Sequence, residues 1–263
     1  STDVDALQAF IKSTFAVEGV QFSNILLSGI ESTENFIDVY FDNSANQLAE
    51  KELGLRYRKR LKDGDMMKEL IQLKTPFSED KVIRNEFKFE LDKKKGKKNL
   101  DAAHPLLKYL SNADQQNLTF QLAPFKIKPE SLSPKLKLKQ IRYRVYLSDS
   151  SGQSVATITL DKVQNYKFPY QKFTEMEIEL NEIRYTGADS LEKQLMAELN
   201  NEIKSTIMES FPSLTVNQQP KYNKMKSIID SSWMSTLAKN IAWLIFSGIA
   251  LFSLIHFIKS SKS

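Results

Sequence analysis

The sequence predicts an α+β fold: an antiparallel sheet closed around a polar interior, helices on its apolar outside, and one transmembrane helix near the C-terminal end. Three observations carry this. Segment after segment alternates charged and apolar residues with the period of two of a β-strand. The charges are sorted, with arginines gathered on Leu53–Leu61 (LGLRYRKRL) and Lys139–Leu147 (KQIRYRVYL) and glutamates on Lys172–Leu180 (KFTEMEIEL). Finally, Ile241–Ile258 (IAWLIFSGIALFSLIHFI) runs for 18 residues without a formal charge.

Taken in order, Val4–Phe15 places Val4, Leu7, Phe10 and Ile11 at helical spacing behind Asp3 or Thr2 as a cap, which predicts a short amphipathic helix. Strands are predicted over Asn35–Asp42 (NFIDVYFD), Leu53–Leu61, Met67–Lys74 (MKELIQLK) and Ile83–Leu91 (IRNEFKFEL). They are rich in aromatic and β-branched residues, with turn residues such as Asp63-Gly64-Asp65 between them. Leu100–Leu110 predicts a short helix after the lysine-rich turn Lys93–Lys98, and Pro124–Pro134 (PFKIKPESLSP) predicts a proline-punctuated connection. Strands resume over Lys139–Leu147, Ser154–Val163 and Lys172–Leu180. A helix over Ser190–Met208 follows, with Leu191, Leu195, Leu199, Ile203 and Ile207 in register behind the capping sequence DSLE. Phe211–Lys224 then reads as a linker, so residues 1–210 form the domain, 211–236 the linker and 237–259 the membrane helix. The two halves echo one another, each with an Arg-x-Arg strand followed by a strand of regularly spaced charges.

At 263 residues, with 41% hydrophobic and 26% charged residues, the chain can bury a real core. A net charge of +5 is too small to define a polyanionic partner by itself, so placement matters more than the total. The absence of cysteine excludes disulfides, thiolate metal sites and cysteine nucleophiles, and suits a reducing compartment. The two histidines, His104 and His256, are too few for a histidine-rich metal site. Rising about 1.5 Å per residue, the uncharged run matches the hydrocarbon thickness of a bilayer, with Lys239, Lys259 and Lys262 placed to reach headgroups and Trp243 near one interface. The opening STDVDALQAFIKSTF has no hydrophobic leader core. The expected arrangement is a single-pass, C-terminally anchored protein with its domain on the cytosolic, or an equivalent reducing, side.

One charged strand face suits the solvated side of a sandwich. Repeated on nearly every strand, with arginines and glutamates sorted at matched positions, it points instead to a closed sheet with a polar lumen. Arg56, Arg58 and Arg60 share a face, as do Arg142 and Arg144, while Tyr57 and Tyr143 fall on the packing faces. The guanidinium fork grips phosphate oxygens in pairs and stays charged, and a Glu-x-Glu pair offers hard oxygen ligands to Mg²⁺ or Mn²⁺. Such a lumen suits a triphosphate-like ligand. Arginines converging on an empty lumen are expected to repel one another.

The ordered series DVYFDN, LGLRYRKR, ELIQLK, RNEFKFE, QIRYRV, TITLDKV and FTEMEIEL resembles the CYTH domain of the triphosphate tunnel metalloenzymes over roughly Asp3 to Leu180. The resemblance implies an eight-stranded antiparallel β tunnel, a closed barrel whose basic residues hold a phosphate chain and whose carboxylates hold divalent metal. Position by position, it implies phosphate binding by Arg56, Arg58, Lys74, Arg84, Arg142 and Arg144, with Lys137 or Lys139 as a further basic residue. It implies metal binding by Glu86, Asp161, Glu175, Glu177 and Glu179, and catalytic roles for Lys74 and Glu177. The family's opening Glu-x-Glu-x-Lys strand has no counterpart here, neither before Val4 nor in VQFSNILLSGI.

Two functions are therefore expected. One is a membrane-anchored, Mg²⁺- or Mn²⁺-dependent hydrolase of inorganic triphosphate, polyphosphate or a nucleoside triphosphate. The alternative is a catalytically degenerate phosphate binder, or a structural subunit of a membrane complex. Nucleic acid is not an expected partner, because the interleaved glutamates would repel its backbone. Lys93–Lys98 reads as a solvated hairpin tip that could rest on anionic lipid.

Overall fold

The computed structural model describes residues 3–22, 25–62, 65–77, 84–91, 106–217 and 219–232, with the side chains of Phe77 and Arg84 excepted. Helix α1 (Val4–Phe15) starts at Asp3, whose carboxylate accepts from the amides of Asp5 and Ala6, as the cap reading requires. Eight strands follow: β1 (Val20–Phe22), β2 (Ile25–Asp42), β3 (Gly54–Lys62), β4 (Asp65–Phe77), β5 (Arg84–Glu90), β6 (Ser133–Asp149), β7 (Ser154–Asn165) and β8 (Lys172–Leu180). Helices α2 (Gln47–Glu50), α3 (Asn112–Leu122), α4 (Glu182–Gly187) and α5 (Ser190–Ser210) lie among and after them, and residues 221–232 form a further helix, α6.

All ladders are antiparallel, in the order β5-β4-β3-β2-β6-β7-β8 with β1 paired to β2. Strand β2 is the spine. It pairs with β6 from Leu27 to Asp42, and on its other edge it meets β1 and then β3. The register puts Arg56 beside Gln72, Lys74 beside Glu86, Arg142 beside Asp161, and Asp161 beside Glu175. Alternation then sends the polar members of every strand to one face and the apolar members to the other.

The apolar face is covered in two places. Val39, Phe41, Leu55, Tyr57, Ile71, Leu73 and Phe89 pack under α3 and a 3₁₀ turn at Leu106–Tyr109. Tyr143, Val145, Leu147, Ile158 and Leu160 pack under Leu7, Ile11 and Phe15 of α1 and Met196, Leu199, Ile203 and Ile207 of α5. A third, smaller cluster lies at one end of the polar face, where Tyr40, Leu138 and Val163 receive Tyr222 and Met225 of α6.

The sheet corrects the expected closed barrel. Among the described residues no ladder joins β5 to β8. The two wings instead curl toward one another, so that one cavity is lined both by β3–β5 and by β8, and α6 packs across the opening. A charged inner face needs partners and shelter from water, and a curled sheet with a docked helix supplies both without main-chain closure. The stretch expected to be a linker thus contains a helix that belongs to the folded core. Likewise the predicted connection at Pro124 is preceded by α3, and β2 begins well before Asn35. Among the described residues no helix is long and apolar enough to cross a membrane; the predicted span at 237–259, with His256, and the lysine run at Lys93–Lys98 lie outside them.

Candidate active site

The inner face carries charge in matched pairs. Arg58 Nε donates to Asp38 Oδ1 at 2.7 Å and its Nη2 to Oδ2 at 2.6 Å, both groups buried. Arg56 reaches the same carboxylate at 3.3 Å, while its Nε donates to Gln72 Oε1 at 2.8 Å and its Nη1 to the Tyr40 hydroxyl at 3.2 Å. On the opposite wing, Arg142 Nε and Nη2 hold Asp161 Oδ1 and Oδ2 at 2.7 and 2.6 Å. The Phe36 ring lies between the wings, 4.2 Å from the Arg58 Cζ and 5.5 Å from the Arg142 Cζ, a cation–π arrangement on both sides. Glu34, itself buried, contacts Arg60, and its Oε2 lies 3.4 Å from Arg144 Nη1, which also donates to the Tyr146 hydroxyl at 2.7 Å.

These pairings correct the expectation of mutually repelling arginines: most of the arginine charge is met inside the protein by Asp38, Asp161 and Glu34. Burial pushes the Asp38 carboxyl up, yet Arg58 and Arg56 outweigh it and hold the group below its ordinary value. Asp161 is likewise held low, burial being outweighed by its bonds to Arg142 and the charge of Lys221.

A cavity of about 500 Å³ opens between the wings. Arg56, Lys74, Glu86 and Lys88 line one wall; Glu175, Glu177, Glu179, Lys221 and Lys224 line the other. Lys74 Nζ lies 3.2 Å from Glu86 Oε2, and Lys88 Nζ lies 3.4 Å from Oε1, which also accepts from Gln72. Partial burial would raise Glu86, but Lys74, Arg56 and Lys88 pull it down to about 2. A larger cavity of about 810 Å³ on the outer side of β8, floored mainly by Val4, Leu7, Leu160, Met176 and Ile178, shares Glu175 and Lys224 with this one but does not reach Arg56, Lys74, Glu86 or Lys221.

The predicted metal ligands divide. Ligand oxygens of Asp161, Glu175 and Glu177 all lie within 4.8 Å of one another, whereas Glu86 and Glu179 are not part of that group. Three carboxylates on adjacent strands form a hard oxygen set that fits Mg²⁺ or Mn²⁺. The predicted basic residues divide as well. Arg56 and Lys74 face the cavity, Arg58, Arg142 and Arg144 are tied to internal partners, and the Arg84 side chain lies outside the described residues. Lys137 faces the Tyr166 ring at 4.0 Å, away from this site.

Three participants were not anticipated. Asp38 and Glu34 share the inward parity of Phe36 and Tyr40 on β2; for Asp38 the signal is present in NFIDVYFD, read there only as strand, and Glu34 lies just before that stretch. The third is Lys221 on α6, whose Nζ lies 3.1 Å from Asp161 Oδ2, 3.1 Å from Glu177 Oε1, and in contact with Glu175. Burial lowers the Lys221 ammonium, but the three carboxylates more than reverse this and raise it above its ordinary value. Glu177 is held well below the carboxylate range, its burial outweighed by Lys221, Lys74 and Arg142.

A curled antiparallel sheet with an inward wall of arginines, lysines and carboxylates, covered by helices on its apolar face, defines the class of protein as an α+β fold with a charged interior. Residues 16–210 match the CYTH domain family, and the chain belongs to that family. No curated protein matches it in sequence. Solved structures similar to it include the PH1819 protein of Pyrococcus horikoshii OT3, at 16% identity and a TM-score of 0.45, covering 84% of this chain and 92% of that one. A putative adenylyl cyclase of Hippeastrum with a dominant triphosphatase activity shares 15% identity at a TM-score of 0.46, covering 84% and 90%. The Pct1 RNA triphosphatase of S. pombe shares 10% identity at 0.34, covering 77% and 65%.

Proposed function

We propose that this chain binds and hydrolyses a triphosphate-containing compound, inorganic triphosphate, polyphosphate or a nucleoside triphosphate, with Mg²⁺ or Mn²⁺. The observation that carries this is the cavity between the wings, where Arg56, Lys74 and Lys88 face the Asp161, Glu175 and Glu177 trio. Membership of the CYTH family supports it.

Lys74 and Arg56 bind the phosphate chain and orient it, and their positive charge stabilises negative charge that develops on its oxygens. Lys88, exposed at the entrance and paired with Glu86, adds a further positive charge. Asp161, Glu175 and Glu177 would hold the ion, which would supply Lewis-acid polarisation of the phosphoryl group and charge neutralisation. Asp38 and Gln72 position Arg56, and Arg142 fixes the Asp161 carboxylate beside Glu175 and Glu177. Phosphate release from tripolyphosphate, dependent on Mg²⁺ or Mn²⁺ and lost in Glu177→Ala, is the expected result. A folded full-length chain with no metal-dependent release overturns hydrolysis.

A second reading, binding without turnover, is favoured by the ammonium of Lys221 inside the trio. Calorimetry with tripolyphosphate, with and without Mg²⁺, separates the two. The uncharged run Ile241–Ile258 supports C-terminal anchoring in a membrane, and the lack of cysteine supports a reducing side for the domain. Full-length chain in the membrane fraction, and a chain cut after Ser232 in the soluble one, is the expected outcome.

A further inference from the structure

The cation position of the trio is already filled by the chain itself. Lys221 opens α6, and its ammonium has three N–H groups facing three carboxylates, those of Asp161, Glu175 and Glu177. Its side chain is only 8% exposed. One turn later Lys224 Nζ lies 2.7 Å from the second Glu175 oxygen. The helix is fastened independently of these charges. Tyr222 stacks on Tyr40 with ring centroids 5.6 Å apart, Met225 is fully buried, Asn223 Nδ2 donates to the Ala49 carbonyl at 3.0 Å, and Gln171 Nε2 donates to Ser232 Oγ at 3.0 Å. All of α6 lies outside residues 16–210, the part that matches the family.

An ammonium and a divalent ion cannot share this point. A metal ion seated among the same oxygens, at roughly 2.0–2.2 Å, would fall within the volume that Nζ fills, and the two charges would repel. We propose that Lys221 is a tethered cation standing in the divalent-metal position, so that metal uptake and withdrawal of the first turn of α6 are one exchange, and Lys221 sets the metal affinity of the chain. The inference rests on reading Asp161, Glu175 and Glu177 as the cation position. It goes beyond that reading in making helix and metal mutually exclusive. Removing the ammonium takes one positive charge from among three carboxylates that keep Arg142 and Lys224 as close partners, with Lys74 already paired to Glu86, and the more negative site attracts a divalent ion more strongly. Binding of metal to the intact chain has to lift Lys221 out, because the carboxylates themselves are fixed by their strands.

The test is Mn²⁺ binding to the full chain by calorimetry, with hydrogen exchange followed across residues 211–232. Lys221→Met is expected to bind Mn²⁺ at least tenfold more tightly than the unaltered chain, and a second change, Glu175→Gln, to abolish that gain. Saturating Mn²⁺ is expected to accelerate exchange at 221–225 in the unaltered chain. Lys226→Met, which removes a partner of Asp230 on the same helix, is expected to change neither result. Equal Mn²⁺ affinity with and without Lys221, a gain that survives Glu175→Gln, or Mn²⁺ uptake with unchanged exchange in α6 overturns the exchange while leaving a metal site in place. If Lys221→Met does not fold, the exchange measurement on the unaltered chain decides alone. No Mn²⁺ uptake by either protein overturns the metal reading of the trio, and the exchange with it; tripolyphosphate binding is then judged separately.

Discussion

Arg58 and Asp38 face each other across the β2–β3 ladder as registered neighbours, joined by two hydrogen bonds of 2.7 and 2.6 Å in a buried setting. Arg56 leans on the same carboxylate. One acid therefore neutralises much of the charge of two guanidinium groups, and the inner wall is a network rather than a row of separate cations. Removing one member leaves a buried charge without its partner. Asp38→Ala is expected to destabilise the domain by about 3–5 kcal/mol, and Arg58→Ala by a similar amount. Arg58→Lys is expected to recover only part of the loss, since an ammonium does not reproduce the paired fork. Urea unfolding measures all three; an Arg58→Ala protein as stable as the parent would contradict the network.

Acid should weaken the fold in a defined window. The carboxyls of Asp38, Asp161 and Glu177 are held below their ordinary values, and that of Glu86 is held at about 2 against an ordinary 4.5. Groups depressed in the folded state contribute stability that is complete above the ordinary carboxylate range and is lost as pH falls through the folded values. The melting temperature is expected to change little between pH 7 and about pH 5 and to fall steadily from there toward pH 2. A flat melting temperature down to pH 3 would count against the ion pairs.

Gly29 marks where α1 crosses the spine. A Cβ built there would meet the Phe15 carbonyl oxygen at 1.7 Å, and the Gly29 amide donates to the Val17 carbonyl at 2.9 Å. Because the obstacle is backbone, Gly29→Ala must displace the end of α1 from β2, at a cost of about 2–3 kcal/mol. Gly152 offers the contrast: its φ is +77° with nothing near, so Gly152→Ala carries only the strain of a left-handed turn, about 1 kcal/mol. Thermal unfolding of the two variants should show that order.

Lys74 and Lys88 should differ as phosphate ligands. Lys74 is 28% exposed and held by Glu86 in the cavity wall, while Lys88 is 63% exposed at the entrance. Lys74→Ala is expected to weaken tripolyphosphate binding about tenfold or more, as loss of a charge-assisted bond would. Lys88→Ala is expected to weaken it by less than threefold and to reduce its salt dependence. Calorimetry at two salt concentrations reads both, and equal losses would remove the distinction.

Much of this was legible in the sequence, for local reasons. The capped helix at Val4–Phe15 and the strand at Lys172–Leu180 follow from period and capping residues, which act within a few positions. The inward direction of Arg56, Arg58, Arg142, Glu175 and Glu177 follows from the same alternation. Open edges did not follow, because closure depends on how far the sheet curls. The predicted strand begins only at Asn35, and the first half of β2 carries Ser28 and Gly29, weak strand formers; Gly29 lets α1 pass. Tyr222, Met225, Ile228 and Ile229 have helical spacing just after Pro220, a start signal overlooked beside the apolar run that follows. That Lys221 ends among carboxylates of three different positions was not readable, since only the docking of α6 brings them together.

The central place of β2 also sets an order of events in time. Its partners on β6 lie about 90 to 120 residues further along the chain, while β3, on its other edge, is close by in sequence. As the chain leaves the ribosome, β2 to β5 can assemble as a local meander, but the long edge of β2 stays unpaired until β6 has been made. For that interval the nascent protein exposes a template for pairing with other chains, and the acidic residues Glu31, Glu34 and Asp38 along that strand help keep neighbours away.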